Sequence, residues 1–299
     1  MTILTRVLAS LVLLGAISTV TPGAPGRAAR SAVGAGERVA ASGQWFIDCD
    51  RPSGDLQLSL RMSRGRGHES WGSQKVSRES LAGLSLDESG PVEFHFRRDA
   101  GTFFARGSMA PDKGAGTFEL VLDPAFAGEL ERRGIGRPTE EQQIQLAMAD
   151  MSLDLLEDFQ RLGYEKPDVE LLVQCAQHGV NRPFVTGLHD SGLRLSSIEQ
   201  LVAARDHGVD PSFIRGMVAA GYRNVRLERL LQARDHGVDA RYLRTMKQAG
   251  YSDLSLEEAI QARDHGVDAR FAERLERYLG RQPSLTELIR DRDQGWSPN

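Results

Sequence analysis

The sequence predicts an α+β protein in which a small antiparallel β domain, either a curved sheet or a barrel, precedes an array of α-helical hairpins resembling an α-solenoid. Two observations predict this class. Between residues 40 and 123, apolar residues alternate with polar ones at the period of two that half-buried strands show. From residue 139 onward, one short phrase recurs every 29 residues, which is typical of stacked helical units.

The first 30 residues predict a secretory signal peptide. One positive charge, Arg6, precedes an apolar run over 7–20, and a segment rich in Pro, Gly and Ala follows. The run is shorter than the roughly 20 residues of a membrane-spanning helix, so an uncleaved anchor is the second choice. Small residues suited to cleavage occur at several points between 18 and 35, which leaves the cleavage site open. We therefore expect an exported, periplasmic or extracellular protein that meets the membrane only through this segment, if it is uncleaved.

The net charge and the cysteine content of the chain limit the classes of function that we expect. The formal net charge of -4 and the pI near 6.0 give no reason to expect a nucleic-acid partner, because such binding needs clustered cationic charge. The two cysteines, Cys49 and Cys175, lie in different regions of the chain. Export would allow a disulfide between them, but two small apolar side chains in separate cores are the favoured interpretation.

Residues 40–123 predict about five or six short strands. Alternating apolar positions are centred on 45–49, 56–62, 92–96 and 118–122. Turn residues separate them at 52–55, 99–101 and 111–114. Residues 124–138 then predict a short helix and a linker, since the last five residues, 134–138, contain two glycines and a proline.

Residues 139–299 predict repeated helical hairpins. The repeat is marked by His178, His207, His236 and His265, and its register extends to Ala149 and Gln294. Ten residues before each of these positions stands a residue that caps a helix start, except at Arg226, and one residue after most of them stands a glycine that ends the helix. Capping boxes are predicted where Gln or Glu follows the cap by three residues, at Thr139, Ser197, Ser255 and Ser284.

A second helix is predicted to begin three residues after each repeat position. Good N-cap residues stand there: Ser152, Asn181, Asp210, Asp239, Asp268 and Ser297. Apolar residues three and seven positions further on form one helical stripe, which we expect to face the core. Glycines at 163, 192, 221 and 250 end these helices.

The Arg-Asp-His triplet that precedes Gly208, Gly237 and Gly266 has two interpretations. One is a ladder of metal ligands, which would make this a metal-binding repeat protein. The other is structural, with Arg and His favouring the carboxyl end of the helix dipole and Asp pairing with an Arg of the same or the next unit. Zinc sites gather three or four ligands at one point, whereas stacked units space equivalent residues on the order of 10 Å apart. We therefore favour the structural interpretation and expect no metal.

Other motifs predict no catalytic residues and no cofactor. His68 and Glu69 lack the second His of a zinc peptidase, and Gly114-Ala115-Gly116 lacks the flanking strand and helix of a dinucleotide site, which favours a hairpin turn. Residues 63–68 are basic and rich in glycine and predict a flexible loop. The candidate ligand-binding residues are His68, the last residue of this segment, and the nearby Trp71, which would stack on a sugar ring.

The repeat units resemble those of exported bacterial proteins. The resemblance is carried by Leu254 to Glu258, by Arg263 to Asp268, and by the Gly250-Tyr251 pair. Similar repeats follow the peptidase domain of some antirepressor metallopeptidases of the BlaR type, and the stretches 97–103 and 114–118 are similar to their partner region. This chain lacks the His-Glu-x-x-His motif of the peptidase. The resemblance implies an accessory or sensory role outside the cytoplasm and assigns no catalytic residues.

The expected function is a non-catalytic, extracytoplasmic protein-interaction scaffold. Its partner would be another envelope or secreted protein, bound by exposed residues of the second helices, for which the candidates are Arg215, Arg244 and Arg274. The alternative is an envelope sensor whose β domain binds a glycan or a peptide. The identity of the partner and the oligomeric state stay open at this point.

Overall fold

The computed structural model describes residues 38–50, 55–64, 68–84 and 89–296, which fall within one compact unit, Ala32–Asn299. This part of the chain contains a six-stranded antiparallel sheet followed by twelve α-helices in tandem. The predicted α+β class is therefore confirmed. The predicted signal segment, residues 1–30, lies outside the described residues.

The sheet is built from two groups of three strands. The strands are β1 (Ala41–Asp50), β2 (Asp55–Arg64), β3 (His68–Val76), β4 (Gly90–Arg98), β5 (Gly101–Ala110) and β6 (Lys113–Leu122). Their order is β3-β2-β1-β6-β5-β4, and every neighbouring pair is antiparallel. The edges are β3 and β4, so among the described residues the sheet is open rather than closed on itself.

The predicted alternation places the apolar residues on one face of the sheet. Trp45, Phe103 and Phe118 are fully buried, as are the leucines at alternate positions of β2. The rings of Phe96 and Phe103 stack with their centroids 4.6 Å apart, across the β4–β5 pair. Burial of each such side chain contributes about 1.5–3 kcal/mol, which makes this face the main source of stability in the sheet.

The glycines of β6 were expected in a hairpin turn, and that prediction is wrong. Gly114 and Gly116 lie inside β6, while the reverse turn falls at residues 111–112. Gly116 is paired with Trp45 on one side and with Gly107 on the other. A Cβ on Gly107 or on Gly116 would stand 2.7 Å from the Trp45 indole. Glycine is required at these positions because the large ring of Trp45 lies close to the backbone of β5 and β6.

The twelve helices are α1 (Pro124–Arg132), α2 (Glu140–Met148), α3 (Leu153–Arg161), α4 (Val169–His178), α5 (Arg182–Asp190), α6 (Ile198–Asp206), α7 (Pro211–Ala219), α8 (Leu227–Asp235), α9 (Ala240–Gln248), α10 (Leu256–Asp264), α11 (Ala269–Leu279) and α12 (Leu285–Asp293). From α2 onward they pack in two rows. We call α2, α4, α6, α8, α10 and α12 the front row, and α3, α5, α7, α9 and α11 the back row. Each unit contributes one helix to each row, as the 29-residue period predicts.

Local capping chemistry sets the helix starts. The predicted caps accept a hydrogen bond from the backbone N–H three residues on, and Arg226, as expected, caps nothing. The full capping box forms at Thr139, Ser255 and Ser284. The box predicted at Ser197 does not form, because the Gln200 side-chain oxygen accepts from the N–H of Ser196 instead. In the back row, all predicted caps from 152 to 268 are present, and Ser297 lies outside the described residues.

The predicted glycine stops adopt left-handed backbone conformations. The glycines that follow the repeat positions have φ between 68° and 74°. In the first unit Asp150 takes this place, with φ of 57°. Glycine is favoured there because other L-residues meet steric resistance at positive φ.

We expect Gly237→Ala to lower the free energy of unfolding by about 1 kcal/mol or more, since Gly237 has φ of 71°. The new Cβ would also stand 3.5 Å from the Nε of Arg263. Urea denaturation measures the change, with Gln248→Ala as a control at an exposed helical position, where almost no loss is expected. Equal losses in the two variants would mean that the backbone conformation at Gly237 is not the cause.

The sheet is joined to the first helical unit by buried polar contacts. Arg98, at the end of β4, donates from Nη1 to the carbonyl oxygens of Ala147 and Met148, at 2.6 and 2.8 Å. The Gln143 side chain of α2 donates to the carbonyl oxygen of Ala100 at 3.0 Å. Buried apolar residues form one continuous cluster from the sheet into the array. The sheet therefore covers the face of the first unit that, in later units, another hairpin covers.

Candidate interaction surface of the helical array

The Arg of each of the three triplets, and Arg292 at the equivalent position of the last unit, lies over an aromatic ring of the preceding unit. The guanidinium carbon stands 5.1 to 5.3 Å from the ring centroid in all four cases. The pairs are Arg205 over Phe184, Arg234 over Phe213, Arg263 over Tyr242 and Arg292 over Phe271. Such contacts contribute about 0.5–1 kcal/mol each at exposed sites, so the arginines help to hold consecutive units together.

The Asp of each triplet, and Asp293 at the equivalent position of the last unit, binds a histidine of the preceding unit. The distance from the histidine Nδ1 to the carboxylate is 2.5 to 2.7 Å. The pairs are His178–Asp206, His207–Asp235, His236–Asp264 and His265–Asp293. The expectation that Asp pairs with Arg is therefore wrong. Stacking brings the carboxyl ends of neighbouring front-row helices side by side, which places Asp against His while Arg reaches across to the aromatic ring.

A double-mutant cycle on His207 and Asp235 measures the contribution of one such pair. Both side chains are more than 40 % exposed, so we expect a coupling energy of only about 0.3–1 kcal/mol in the free energy of unfolding. The control cycle combines His207→Ala with Asp264→Ala, since Asp264 contacts His236 and not His207. Coupling of similar size in both cycles would contradict a direct His–Asp contact between units.

The histidine ladder, made of His178, His207, His236 and His265, has a geometry poorly suited to binding a metal ion or to catalysis. Within the part of the chain that the structure describes, no group of three or more His, Cys, Asp and Glu side chains converges as metal ligands would. The Nδ1 of each ladder histidine already contacts a carboxylate. The pair also repeats from unit to unit, whereas a catalytic pair serves one site. This arrangement favours a role in stacking the units.

Tyrosine hydroxyls add further bonds between units. Tyr222 donates to the carbonyl oxygen of Leu254 at 2.6 Å, and Tyr251 donates to that of Pro283 at 2.7 Å. Burial raises the pKa of Tyr251 to about 12, so its hydroxyl stays a donor at neutral pH. The back-row stripe predicted to face the core is buried, including Phe213, Tyr242 and Phe271. Hydrogen bonds and buried side chains therefore hold together the units that carry the outer surface of the array.

The predicted partner-binding residues do not all occupy equivalent places. Arg215 on α7 and Arg244 on α9 are exposed and stand eight residues after His207 and His236. Arg274 on α11 stands nine residues after His265 and is half-buried, while Glu273 fills the equivalent exposed position. The structure thus brings Arg215 and Arg244 onto one surface of the back row and leaves Arg274 aside.

Three further exposed cations extend that surface and were missed from the sequence. Arg241 and Lys247 flank Arg244 on α9, and Arg270 stands on α11 at the position equivalent to Arg241. The spacing of three residues on α9 is the signal that would have found Arg241 and Lys247 beside Arg244, because residues three apart share one side of a helix. The 29-residue period then relates Arg270 to Arg241. We call Arg215, Arg241, Arg244, Lys247 and Arg270 the back-row basic patch.

The exposed face of the sheet carries a separate hollow of about 580 Å³. It is lined by Gln44, Arg61, Arg106, Thr117 and Glu119, among others, and Arg106 pairs with Glu119 at 3.3 Å. The candidate ligand residues Trp71 and His68 lie in β3, paired with Arg61 and Arg64 of β2, rather than in a loop. Their side chains lie outside the described residues.

Both cysteines are free, as the favoured interpretation predicts. Cys175 is fully buried in α4, and burial raises the pKa of its thiol to about 12. A thiol with this pKa is protonated at neutral pH and is a poor nucleophile. Cys175 therefore contributes to the packing of the core.

No helix among the described residues combines the length and the apolar character that crossing a membrane requires. The chain matches no family model, no curated protein and no solved structure. Conclusions about function therefore rest on the surfaces of the chain itself.

Proposed function

We propose that this chain is a non-catalytic, extracytoplasmic protein-interaction scaffold that binds another envelope or secreted protein along its helical repeats. The observation that carries the proposal is the back-row surface, where equivalent positions of successive units present exposed cations, Arg215 and Arg244. Repeat arrays bind in this way because each unit offers a few side chains and neighbouring units align them. The export of the protein rests on the predicted signal segment at residues 1–30.

The bonds between units support this proposal. Binding along several units requires that they keep fixed positions, since a surface that must be ordered on binding loses affinity. Arginine–aromatic contacts, His–Asp pairs and tyrosine hydrogen bonds link consecutive hairpins. These contacts are made by residues other than those of the back-row basic patch, so the patch can bind a partner without loosening the stack.

A second candidate function is an envelope sensor whose sheet binds a glycan or a peptide. The hollow lined by Gln44, Arg61 and Arg106 favours it, because polar groups from several strands converge there. The third candidate, a metal-binding repeat protein, has weaker support, since each ladder histidine has a single carboxylate partner.

Site-specific photocrosslinking distinguishes scaffold from sensor in the full chain. A photoreactive amino acid is placed at Ala219 or Gln248, which are equivalent exposed positions of α7 and α9, and in a separate variant at Thr117 in the sheet hollow. Each protein is irradiated in an envelope extract, and adducts are identified by mass spectrometry. A scaffold predicts the same partner from Ala219 and Gln248. A partner captured only from Thr117 would support the sensor instead.

A further inference from the structure

The back-row basic patch consists of five exposed side chains on three adjacent helices. Arg215 lies on α7, three residues lie on α9, and Arg270 lies on α11, and α9 packs against both neighbours. The residues of α9 are three apart, which places them about 4.5 Å apart along the helix axis. Packed helices are about 8–10 Å apart, so the patch extends about 20 Å across the row.

None of the five cations has a hydrogen-bond or ion-pair partner among the residues that the structure describes. Other arginines of the array do have partners, such as Arg182 with Asp154 and Arg229 with Glu257. The sequences of α7 and α9 contain no acidic residue at all. The patch is therefore a local concentration of positive charge on a protein whose formal net charge is -4.

The positive charge is bounded along the row. At the position equivalent to Arg215 and Arg244, the first unit has Glu157 and the fifth unit has Glu273. A long polyanion running along the whole back row would meet these like charges at both ends. A short acidic segment centred on α9, which contains no acidic residue, would meet Glu273 only at its α11 end, and roughly six residues of extended chain at about 3.3 Å each cover about 20 Å.

Arginine pairs with carboxylates and with phosphates alike, so the remaining side chains of the surface distinguish an acidic peptide from a nucleic acid or a lipid headgroup. Four of the five are arginines, whose planar guanidinium binds a carboxylate with two parallel hydrogen bonds. Within the described residues, the exposed large hydrophobic side chains are Val39, Tyr278 and Leu279, and none belongs to the patch. The patch therefore lacks the aromatic platform on which nucleic-acid bases stack and the apolar residues that insert into a lipid surface.

We propose that the back-row basic patch binds a short acidic segment of the partner protein, rich in Glu and Asp, which crosses α7, α9 and α11. This inference rests on the proposed scaffold function and adds to it the chemistry of the partner. Arg241, Arg244 and Lys247 form the centre of the site, and Arg215 and Arg270 bind the two ends of the segment.

The test uses a fluorescein-labelled peptide of about twelve residues in which glutamate alternates with serine, long enough to exceed the patch. Fluorescence anisotropy with the full chain measures its Kd at several salt concentrations. We expect the affinity to fall as salt rises, and Arg241→Glu combined with Arg244→Glu to weaken binding at least about tenfold. The pair Arg241→Gln and Arg244→Gln, which avoids new repulsion, should give a smaller loss in the same direction.

The matched control is Arg223→Glu combined with Arg226→Glu. These two exposed arginines precede α8 and lie outside the patch, and the control changes the net charge by the same amount. At about 0.15 M salt it should leave the Kd within about twofold, since charges that do not contact the peptide act on it only through a screened field. Thermal melting checks that each variant stays folded.

Four results would overturn the inference. The first is an equal loss of affinity in the patch and control variants, and the second is equal binding of a peptide with glutamine in place of glutamate. The third is binding only to vesicles of anionic phospholipid or to single-stranded oligonucleotide. The fourth is a patch occupied by a second copy of the chain, seen as a molecular mass that rises with protein concentration. The scaffold proposal is tested separately by the photocrosslinks from Ala219 and Gln248. Crosslinks without peptide binding would refute the acidic segment alone, and loss of the crosslinks would refute the scaffold.

Discussion

Arg98→Ala is expected to lower the free energy of unfolding by about 2–4 kcal/mol, because it removes a buried hydrogen-bond donor and the packing of a buried side chain. Arg98 is only 6 % exposed, and its guanidinium carbon lies 5.4 and 5.1 Å from the ring centroids of Phe96 and Phe103, which stack on each other. Burial lowers the pKa of its guanidinium to about 10, opposed by the nearby charge of Asp150, so the group is still charged at neutral pH.

The loss has two parts. Without Arg98, the carbonyl oxygen of Met148 at the end of α2 loses its buried donor, which costs about 1–3 kcal/mol, while that of Ala147 keeps the backbone N–H of Asp150 at 3.3 Å. The stacked rings of Phe96 and Phe103 also lose the side chain that packs against them. Arg98→Met keeps much of the side-chain volume and removes the donors, so it should recover only part of the stability.

Urea denaturation of the full chain measures this loss. Arg97→Ala is the matched control, because the Arg97 side chain is 78 % exposed and contacts Asp123 at 3.5 Å. We expect it to cost about 0–1 kcal/mol. If Arg97→Ala cost as much as Arg98→Ala, the buried contact between sheet and array would not be the source of the stability.

Gly116→Ala is expected to cost about 3 kcal/mol or more, because the new methyl group has no space. Its Cβ would stand 2.0 Å from the carbonyl oxygen of Arg106 and 2.7 Å from the Trp45 Nε1. That carbonyl accepts the indole hydrogen bond of Trp45 at 3.1 Å, so the clash would also disturb this bond. The neighbouring Gly107 stands in the way as well, with its Cα 2.6 Å from the same Cβ.

The control for Gly116→Ala is Gly128→Ala in α1. A Cβ at Gly128 would meet only the Arg132 guanidinium, at 3.5 Å. Alanine in a helix is favoured over glycine by about 0.5–1 kcal/mol, so the control should be neutral or stabilising. Thermal melting of both variants checks the prediction. A Gly116→Ala protein as stable as the wild type would show that Trp45 does not lie against β6.

The candidate site was only partly predictable from the sequence. The repeat register indicated Arg215 and Arg244, because their position in the unit is exposed in any amphipathic back-row helix. Arg274 was misassigned because Glu273 takes the equivalent position in the fifth unit. Arg241, Lys247 and Arg270 were missed, since their importance depends on having no partner, and partners are supplied by neighbouring helices.

The sequence by itself determined the features that arise within a few residues of chain. Helix starts depend on a cap and the N–H groups two or three residues on, helix ends depend on glycine at positive φ, and strands follow the period of two. For this reason the repeat, the helical hairpin of each unit and the buried stripe through Phe213 and Tyr242 were predicted correctly.

Only the tertiary structure decided which residues meet across units and across the sheet. Asp235 binds His207 rather than an arginine, Gly116 lies against Trp45 rather than in a turn, and Arg98 is buried against α2. The partners in these contacts are between 28 and 71 residues apart in the chain. Their pairing depends on how the elements stack and on which side chains then fit the space between them, and no local pattern encodes that choice.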